Sequence, residues 1–462
     1  MQRALSFDRS PPLAVAFRFF LNVPVFLLLA ALVLGWLAVA ESPFTRWNPG
    51  VLAVAHLLTL GVLASAMLGA MMQILPVATH IRVLHPRLTS TFVHACLSAG
   101  TLSLALGFLT SRRVFYSIAL ALLAAAFAVF LCAAAGGLLR DRRQRSPGSK
   151  EILVAVRFAL AALAITLVLG IFMAGLRAGL WQPGRLGAGI WLHTFPDLHV
   201  LWGLAGWVGL LVIGISYQVI PIFQATEIYP RRMTDALAPL IFLLLAAFTV
   251  MPAWQPAAAS VWRSVPASLL ALGYLLYAAT TTWLLWTRKR PGLEPTTWFW
   301  HVAMASLALA ALVGAAYPWV PGHHGRDGAQ MLLGTLLIPG FAVSAVNGML
   351  YKIVPFLLWH NAQRRAPMAL PFMPKVRQFI AERDAMRQFA AHAGAVALLA
   401  AACVAPRLLL PAAIMLAASG ALLAWNMAQA LRLYFHSCRR IDEAMARHAA
   451  ATTGGLPGAQ SE

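Results

Sequence analysis

Twelve stretches of this 462-residue chain are apolar and long enough to cross a bilayer, near 17–40, 51–78, 89–110, 114–138, 152–177, 196–223, 236–253, 264–286, 297–316, 330–357, 389–405 and 407–434. In hydrocarbon the backbone must satisfy its own polar groups, and runs of about 20 apolar residues do so as helices. The sequence therefore predicts an all-α integral membrane protein of about twelve transmembrane helices. A content of 61% hydrophobic against 11% charged residues excludes a soluble globular class. A net charge of +21 would suit nucleic acid, but the lysines and arginines are spread over short connections between the apolar runs, where they orient the chain in the bilayer.

That distribution sets the expected topology. The segments around Arg140, Arg142, Arg143, Arg145 and Lys150, around Arg231 and Arg232, from Arg288 to Arg290, from Arg364 to Arg387, and at Arg439 and Arg440 all fall on the side of the N-terminus; Arg112 and Arg113 are the exception. Both termini are expected in the cytoplasm of a bacterium, with the protein multi-pass in the inner membrane. The N-terminus lacks a small-residue cleavage signature and is expected to be retained. Residues 1–445 read as one polytopic membrane domain and 446–462 as a disordered cytoplasmic tail. Between Trp359 and Arg387, KVRQFIAERDAMRQF reads either as a basic interfacial helix or as a solvated linker.

One kind of span recurs. Gly61, Gly69, Gln73 and Pro76 match Gly206, Gly214, Gln218 and Pro221, and again Gly340, Gly348, Lys352 and Pro355, in the frame G-x(7)-G-x(3)-[QK]-x(2)-P. The copies lie 145 residues (61 to 206) and 134 residues (206 to 340) apart, the length of a four-helix block. Three pseudo-repeated blocks are expected, at about 14–138, 152–287 and 296–434. Glycines eight apart lie about 80° past two full helical turns, which gives each copy a strip where a neighbouring backbone can approach. The frame reads equally as helix-packing grammar or as the scaffold of a site.

Few polar residues are placed for chemistry. None of the 14 carboxylates falls in the middle of an expected span, which argues against a proton pump or a proton-coupled carrier. Arg18, Arg157 and Lys352 lie near span ends and can snorkel, although Lys352 replaces a glutamine of the frame and can also pack as a polar group. Cys96, Cys132, Cys403 and Cys438 show no C-x-x-C spacing, and neither a disulfide framework nor a zinc knuckle is expected. Among the histidines, His80, His85, His94, His301, His360, His392, His436 and His448 are expected on or near the cytoplasmic side. His56 and His199, near the outer starts of the first and second framed helices, are candidate haem or metal ligands. His193 with Asp197, and His323 and His324 with Asp327, lie in outer loops and read either as a copper or zinc site or as exposed histidines. Met67, Met71 and Met72 read as core.

GMLYKIVP (Gly348 to Pro355) and GISYQVIP (Gly214 to Pro221) resemble the ends of the tenth and sixth helices of subunit I of the haem-copper oxidase superfamily, particularly its cbb-type oxidase and nitric-oxide reductase branch. HLLTLG followed by GAMMQILP, within 56–76, resembles that family's second helix, and FRFF at 17–20 resembles related nitric-oxide-response haem membrane proteins. The resemblance implies that His56 corresponds to a low-spin haem ligand and His199 to a copper ligand. It also implies an incomplete set. The places of two further haem histidines hold Leu333 and Thr335, and the span at 236–253, where the family carries a histidine pair for copper, has no histidine. The expectation is a haem-copper-oxidase-subunit-I-like protein that is not a standard terminal oxidase. It is expected to hold haem or copper through His56 and His199 and to act in copper, haem or nitric-oxide handling or sensing. A redox enzyme with substitute ligands at His193, His323 or His324, a cofactor-free transporter, and an assembly partner of a respiratory complex are the alternatives.

Overall fold

The computed structural model describes residues 7–141, 150–182, 194–250, 259–290, 292, 294–320, 323–365 and 373–453, and among them the chain is all helical, without strands. Twelve long helices follow in order: α1 (Leu13–Val39), α2 (Pro49–Thr79), α3 (Pro86–Thr110), α4 (Arg113–Arg140), α5 (Lys150–Ala178), α6 (Phe195–Gln224), α7 (Arg231–Val250), α8 (Ala259–Trp286), α9 (Pro295–Ala316), α10 (323–365), α11 (Glu382–Ala402) and α12 (Leu409–Thr453). All but α11 contain a stretch long and apolar enough to cross a membrane. In α11 the charges Glu382, Arg383, Asp384 and Arg387 occupy the first two turns. The architecture is that of an all-α, multi-span membrane protein.

Burial separates inner from outer helices. In α2, α6 and α10 the apolar stretch is 61%, 61% and 56% buried, whereas in the other eight it is 33–50% buried. The outer helices present Leu32, Trp36, Leu243, Trp283, Leu312 and Ile414 to the exterior, an apolar surface suited to lipid. Helix α12 returns to pack along α1, so the chain closes round the three inner helices.

The inner helices share a local feature. Each contains an eight-residue π segment, Leu57–Ala64 in α2, Trp202–Gly209 in α6 and Leu336–Val343 in α10. These segments begin 145 (57 to 202) and 134 (202 to 336) residues apart, the same intervals as the framed glycines. In a π segment the ladder widens to i→i+5, so each sits as a bulge within an α-helix. The framed glycines face the helix that precedes each inner helix. A Cβ on Gly61 would lie 2.2 Å from Phe26 of α1, on Gly206 2.8 Å from Ala162 of α5, and on Gly340 2.7 Å from Ser306 of α9. One turn-pair further on, Gly69, Gly214 and Gly348 meet Phe19, Ala155 and Phe299 at 2.8, 2.5 and 2.7 Å. The glycines thus seat each inner helix against its neighbour.

Three boundaries differ from the sequence expectation. Helix α10 continues past Trp359 to Arg365, and the basic KVRQFIAERDAMRQF stretch is broken into a short 3-10 turn (Val376–Gln378) and the start of α11 at Glu382. Ala381 is extended at the break, and the acidic residues Glu382 and Asp384 occupy the first turn, where the helix dipole favours them. Helix α12 runs to Thr453, so residues 446–453 of the expected disordered tail are helical.

Candidate functional site

The ends of α2 and α6 that carry histidine are brought together by contacts that begin in the preceding connection. Asn48 caps α2, its side-chain oxygen accepting from the Gly50 N–H at 2.8 Å, and Pro49 occupies the first helical position, where its missing N–H costs nothing. Two residues earlier, Arg46 donates to Asp197 of α6 at 2.6 Å while its guanidinium lies 4.2 Å over the Trp47 ring. Asp197 is two residues before His199, so this ion pair ties the approach to α2 to the start of α6.

His56 ends the α-helical part of α2, just before its π segment. His56 Nδ1 lies 2.8 Å from the Leu52 carbonyl oxygen, and His199 Nδ1 lies 3.0 Å from the Thr166 carbonyl oxygen of α5. A carbonyl only accepts, so in each ring Nδ1 carries the proton and the neutral imidazole keeps its lone pair on Nε2. The rings lie 6.3 Å apart, centre to centre, at an interplanar angle of 21°. Phe108 of α3 packs 5.1 Å from His56, with Tyr116 edge-on behind it and Arg177 of α5 5.6 Å over its ring. Gly170 makes room for His199: a Cβ there would sit 3.0 Å from Cε1 and 3.5 Å from Nδ1, with Nε2 the farthest of the three at 4.0 Å. Helix α5 therefore covers the Nδ1–Cε1 edge of the ring. A ring N–H given to a backbone carbonyl is the usual support of a metal-bound imidazole, because it fixes the tautomer and the ring orientation.

No protein-family model matches the chain, and no curated protein is significantly similar to it.

The other candidates do not join this pair. His193 lies outside the described residues. His323 and His324 are the first residues of α10. Among the described residues no group of three His, Cys, Asp or Glu side chains is arranged to hold a metal ion. In α10, Leu333 carries no donor and Thr335 Oγ1 lies 3.9 Å from Cys403 Sγ of α11. The four cysteines are free. Lys352, with two readings from sequence, pairs with Glu294 at the N-terminus of α9, and Arg290 and Arg377 lie 3.7 Å from the same carboxylate. Burial pushes the Glu294 carboxyl up, but the hydrogen bond and charge of Lys352 with the two arginines outweigh it and hold the group below its ordinary range.

Two histidines expected near the cytoplasmic side make contacts inside the protein. His94, in the third turn of α3, donates through Nε2 to Asn22 Oδ1 at 3.1 Å, and Asn22 in turn donates to Ser65 and Ser98 at 3.1 and 2.9 Å. His392 is fully buried, eleven residues into α11. Ser344 Oγ gives its proton to the Pro339 carbonyl at 3.2 Å, so His392 Nε2–H donates to Ser344 Oγ at 2.9 Å and Nδ1 accepts from Asn347 at 3.4 Å. Both nitrogens of His392 are thereby used within the protein. At His56 and His199 only Nδ1 has a hydrogen-bond partner among the described residues. The sequence signal for His392 was the acidic pair Glu382 and Asp384, which marks a helix start well before the purely apolar run.

Proposed function

We propose that the protein holds one haem iron or copper ion between His56 and His199 near the periplasmic face of a bacterial inner membrane, with both termini in the cytoplasm. In this reading it handles or senses copper, haem or nitric oxide. The paired imidazoles, each with Nδ1 committed to a backbone carbonyl and Nε2 left as a lone-pair donor, carry the reading. The two rings lie 6.3 Å apart, centre to centre, and their Nε2 atoms would hold the group. Imidazole suits copper and iron alike, and the bound group would supply redox or gas-binding chemistry that the side chains lack. The chain's own residues contribute position: Leu52 and Thr166 orient the rings, the Arg46–Asp197 pair holds the two helix ends together, and Phe108 shields one side. With two protein ligands, and Leu333 and Thr335 where further histidines would stand, standard oxygen or nitric-oxide reduction is not the activity proposed.

The resemblance to the haem-copper oxidase subunit I family remains part of this proposal, supported by the three framed helices and the π segments that recur at the same intervals as the frame. It is tested by cofactor retention. His56→Ala and His199→Ala should each release the bound iron or copper during purification, whereas His323→Ala and His324→Ala should retain it. Equal retention in all four variants would refute the assignment.

A further inference from the structure

Where α8 ends and α9 begins, the cations are not evenly matched by acids. Lys289 pairs with Glu227 at 2.8 Å, and Lys352, Arg290 and Arg377 gather round Glu294. Arg288 has no carboxylate within ion-pair distance among the described residues. Its Nη1 donates instead to two neutral groups, Thr297 Oγ1 at 2.6 Å and Gln224 Oε1 at 3.3 Å, and Thr297 donates to the same Gln224 oxygen at 2.6 Å. Thr297 and Gln224 are buried, so one edge of the guanidinium is fixed from inside. Arg288 itself is only half-buried, and Nε and Nη2 make no hydrogen bond within the described residues and are not enclosed. A guanidinium oriented by neutral partners and left without a counter-ion favours an anion from outside.

The surface beside it suits lipid. Leu269, Leu276 and Trp283 recur every seven residues along α8, Trp298 and Leu312 lie fourteen apart on α9, and all five are exposed on helices that pack side by side. Seven residues fall about 20° short of two full turns, so each set forms one apolar stripe. At the end where the charges begin, Trp286, which is 77% exposed, and Trp298 flank His301 at 6.1 and 6.3 Å, both steeply inclined to its ring, and so join the two stripes. Indoles concentrate at the headgroup level of a bilayer, where one part of the ring is apolar and the other wet. We propose that this edge of the α8–α9 pair is a binding site for an anionic phospholipid, with phosphate oxygens on the open edge of Arg288, the glycerol backbone against Trp286 and Trp298, and acyl chain along the stripes. The guanidinium fork matches two phosphate oxygens. Arg288, Lys289, Arg290, Lys352 and Arg377 outnumber Glu227 and Glu294, an excess that favours a headgroup of net negative charge over a zwitterionic one. Gln224 ends the helix near whose start His199 lies, so the site is at the opposite end of α6 from the histidine pair and does not depend on a group held there.

The test follows lipid binding to the full chain by native mass spectrometry from detergent, with phosphatidylglycerol and phosphatidylcholine of matched acyl chains as probes and glycerol phosphate as a soluble competitor. The first phosphatidylglycerol should bind at least about 5-fold more tightly than the first phosphatidylcholine. Arg288→Gln should weaken it about 10- to 100-fold, the loss of charge-assisted hydrogen bonds, and Arg288→Lys by less. Arg231→Gln removes a charge from an exposed arginine that already has Asp235 3.7 Å away, and should change the affinity less than about 2-fold. Trp286→Ala with Trp298→Ala, both surface changes, should weaken the two lipids alike, and this double variant decides the matter if Arg288→Gln is not monodisperse. Equal affinity for the two lipids would overturn the proposal. So would phosphatidylglycerol binding that is unchanged in a monodisperse Arg288→Gln or in the tryptophan double variant, or its displacement by glycerol phosphate, which would mark a site for a soluble anion. His199→Ala should bind the lipid as the wild type does, which separates this site from the histidine pair.

Discussion

Replacing Gly214 by alanine probes how tightly the inner helices are seated. The new Cβ would stand 2.5 Å from Ala155 Cβ and 3.7 Å from its Cα. Carbon atoms settle at about 3.5–4.0 Å, so α5 and α6 must part by roughly 1 Å, and a gap of that size forfeits a quarter to a half of each contact's attraction. Ala155 has no rotamer through which to yield and is fully buried. Overpacking of this kind costs about 1–3 kcal/mol, offset by up to about 1 kcal/mol of helix propensity gained over glycine. Gly334 in α10 is the control, because a Cβ there meets nothing within 4 Å. Gly334→Ala should therefore stabilise by about 0.5–1 kcal/mol, and the two variants should differ by about 1–3 kcal/mol. Unfolding by SDS in mixed micelles, followed by circular dichroism, measures the difference. If Gly214→Ala proves as stable as Gly334→Ala, the glycine frame does not act by close approach.

Three further outcomes follow from polar contacts. Asp141, buried at the end of α4, accepts from Arg140 at 2.8 and 2.9 Å and from the Arg82 N–H at 3.0 Å; the Arg140 hydrogen bond chiefly, against the opposing effect of burial, draws its carboxyl down to about 2. Its stabilisation is present above the ordinary value of 3.8 and is lost as pH falls towards 2, so Asp141→Asn should cost about 1–2 kcal/mol at neutral pH and flatten the acid limb of a melting-temperature profile. Glu294 is likewise held below its ordinary range, so the wild-type melting temperature should fall as pH drops through its folded value and that of Glu294→Gln should not. His392→Ala strands Ser344 and Asn347 in the interior and should lower stability by about 1–3 kcal/mol in the same SDS titration, with metal content unchanged.

The twelve helices were legible because an apolar run long enough to span a bilayer leaves the backbone one solution, and the frame was legible because glycine and proline mark places where helices approach or lose a hydrogen bond. The features that sequence leaves hidden have a common cause. Helix α11 begins with four charges, so the apolar run marks neither its start nor the burial of His392 within it. The setting of His94 is hidden for a related reason: its partners Asn22, Ser65 and Ser98 sit on three different helices, and no local pattern joins them. The π segments had no sequence signature beyond the frame that surrounds them. For the site, sequence supplied His56 and His199 as two histidines on separate spans, two residues out of register in the repeat. The Arg46–Asp197 pair and the Thr166 carbonyl that holds His199 are long-range contacts that spacing does not encode, and they accompany a ring separation of 6.3 Å.

The most direct test of the central claim is the visible spectrum of the purified protein, oxidised and dithionite-reduced, with iron and copper measured on the same sample after haem- and copper-replete expression. One haem iron or one copper per chain, lost in His199→Ala, is the result the paired imidazoles predict. A colourless wild-type protein containing neither metal would contradict it.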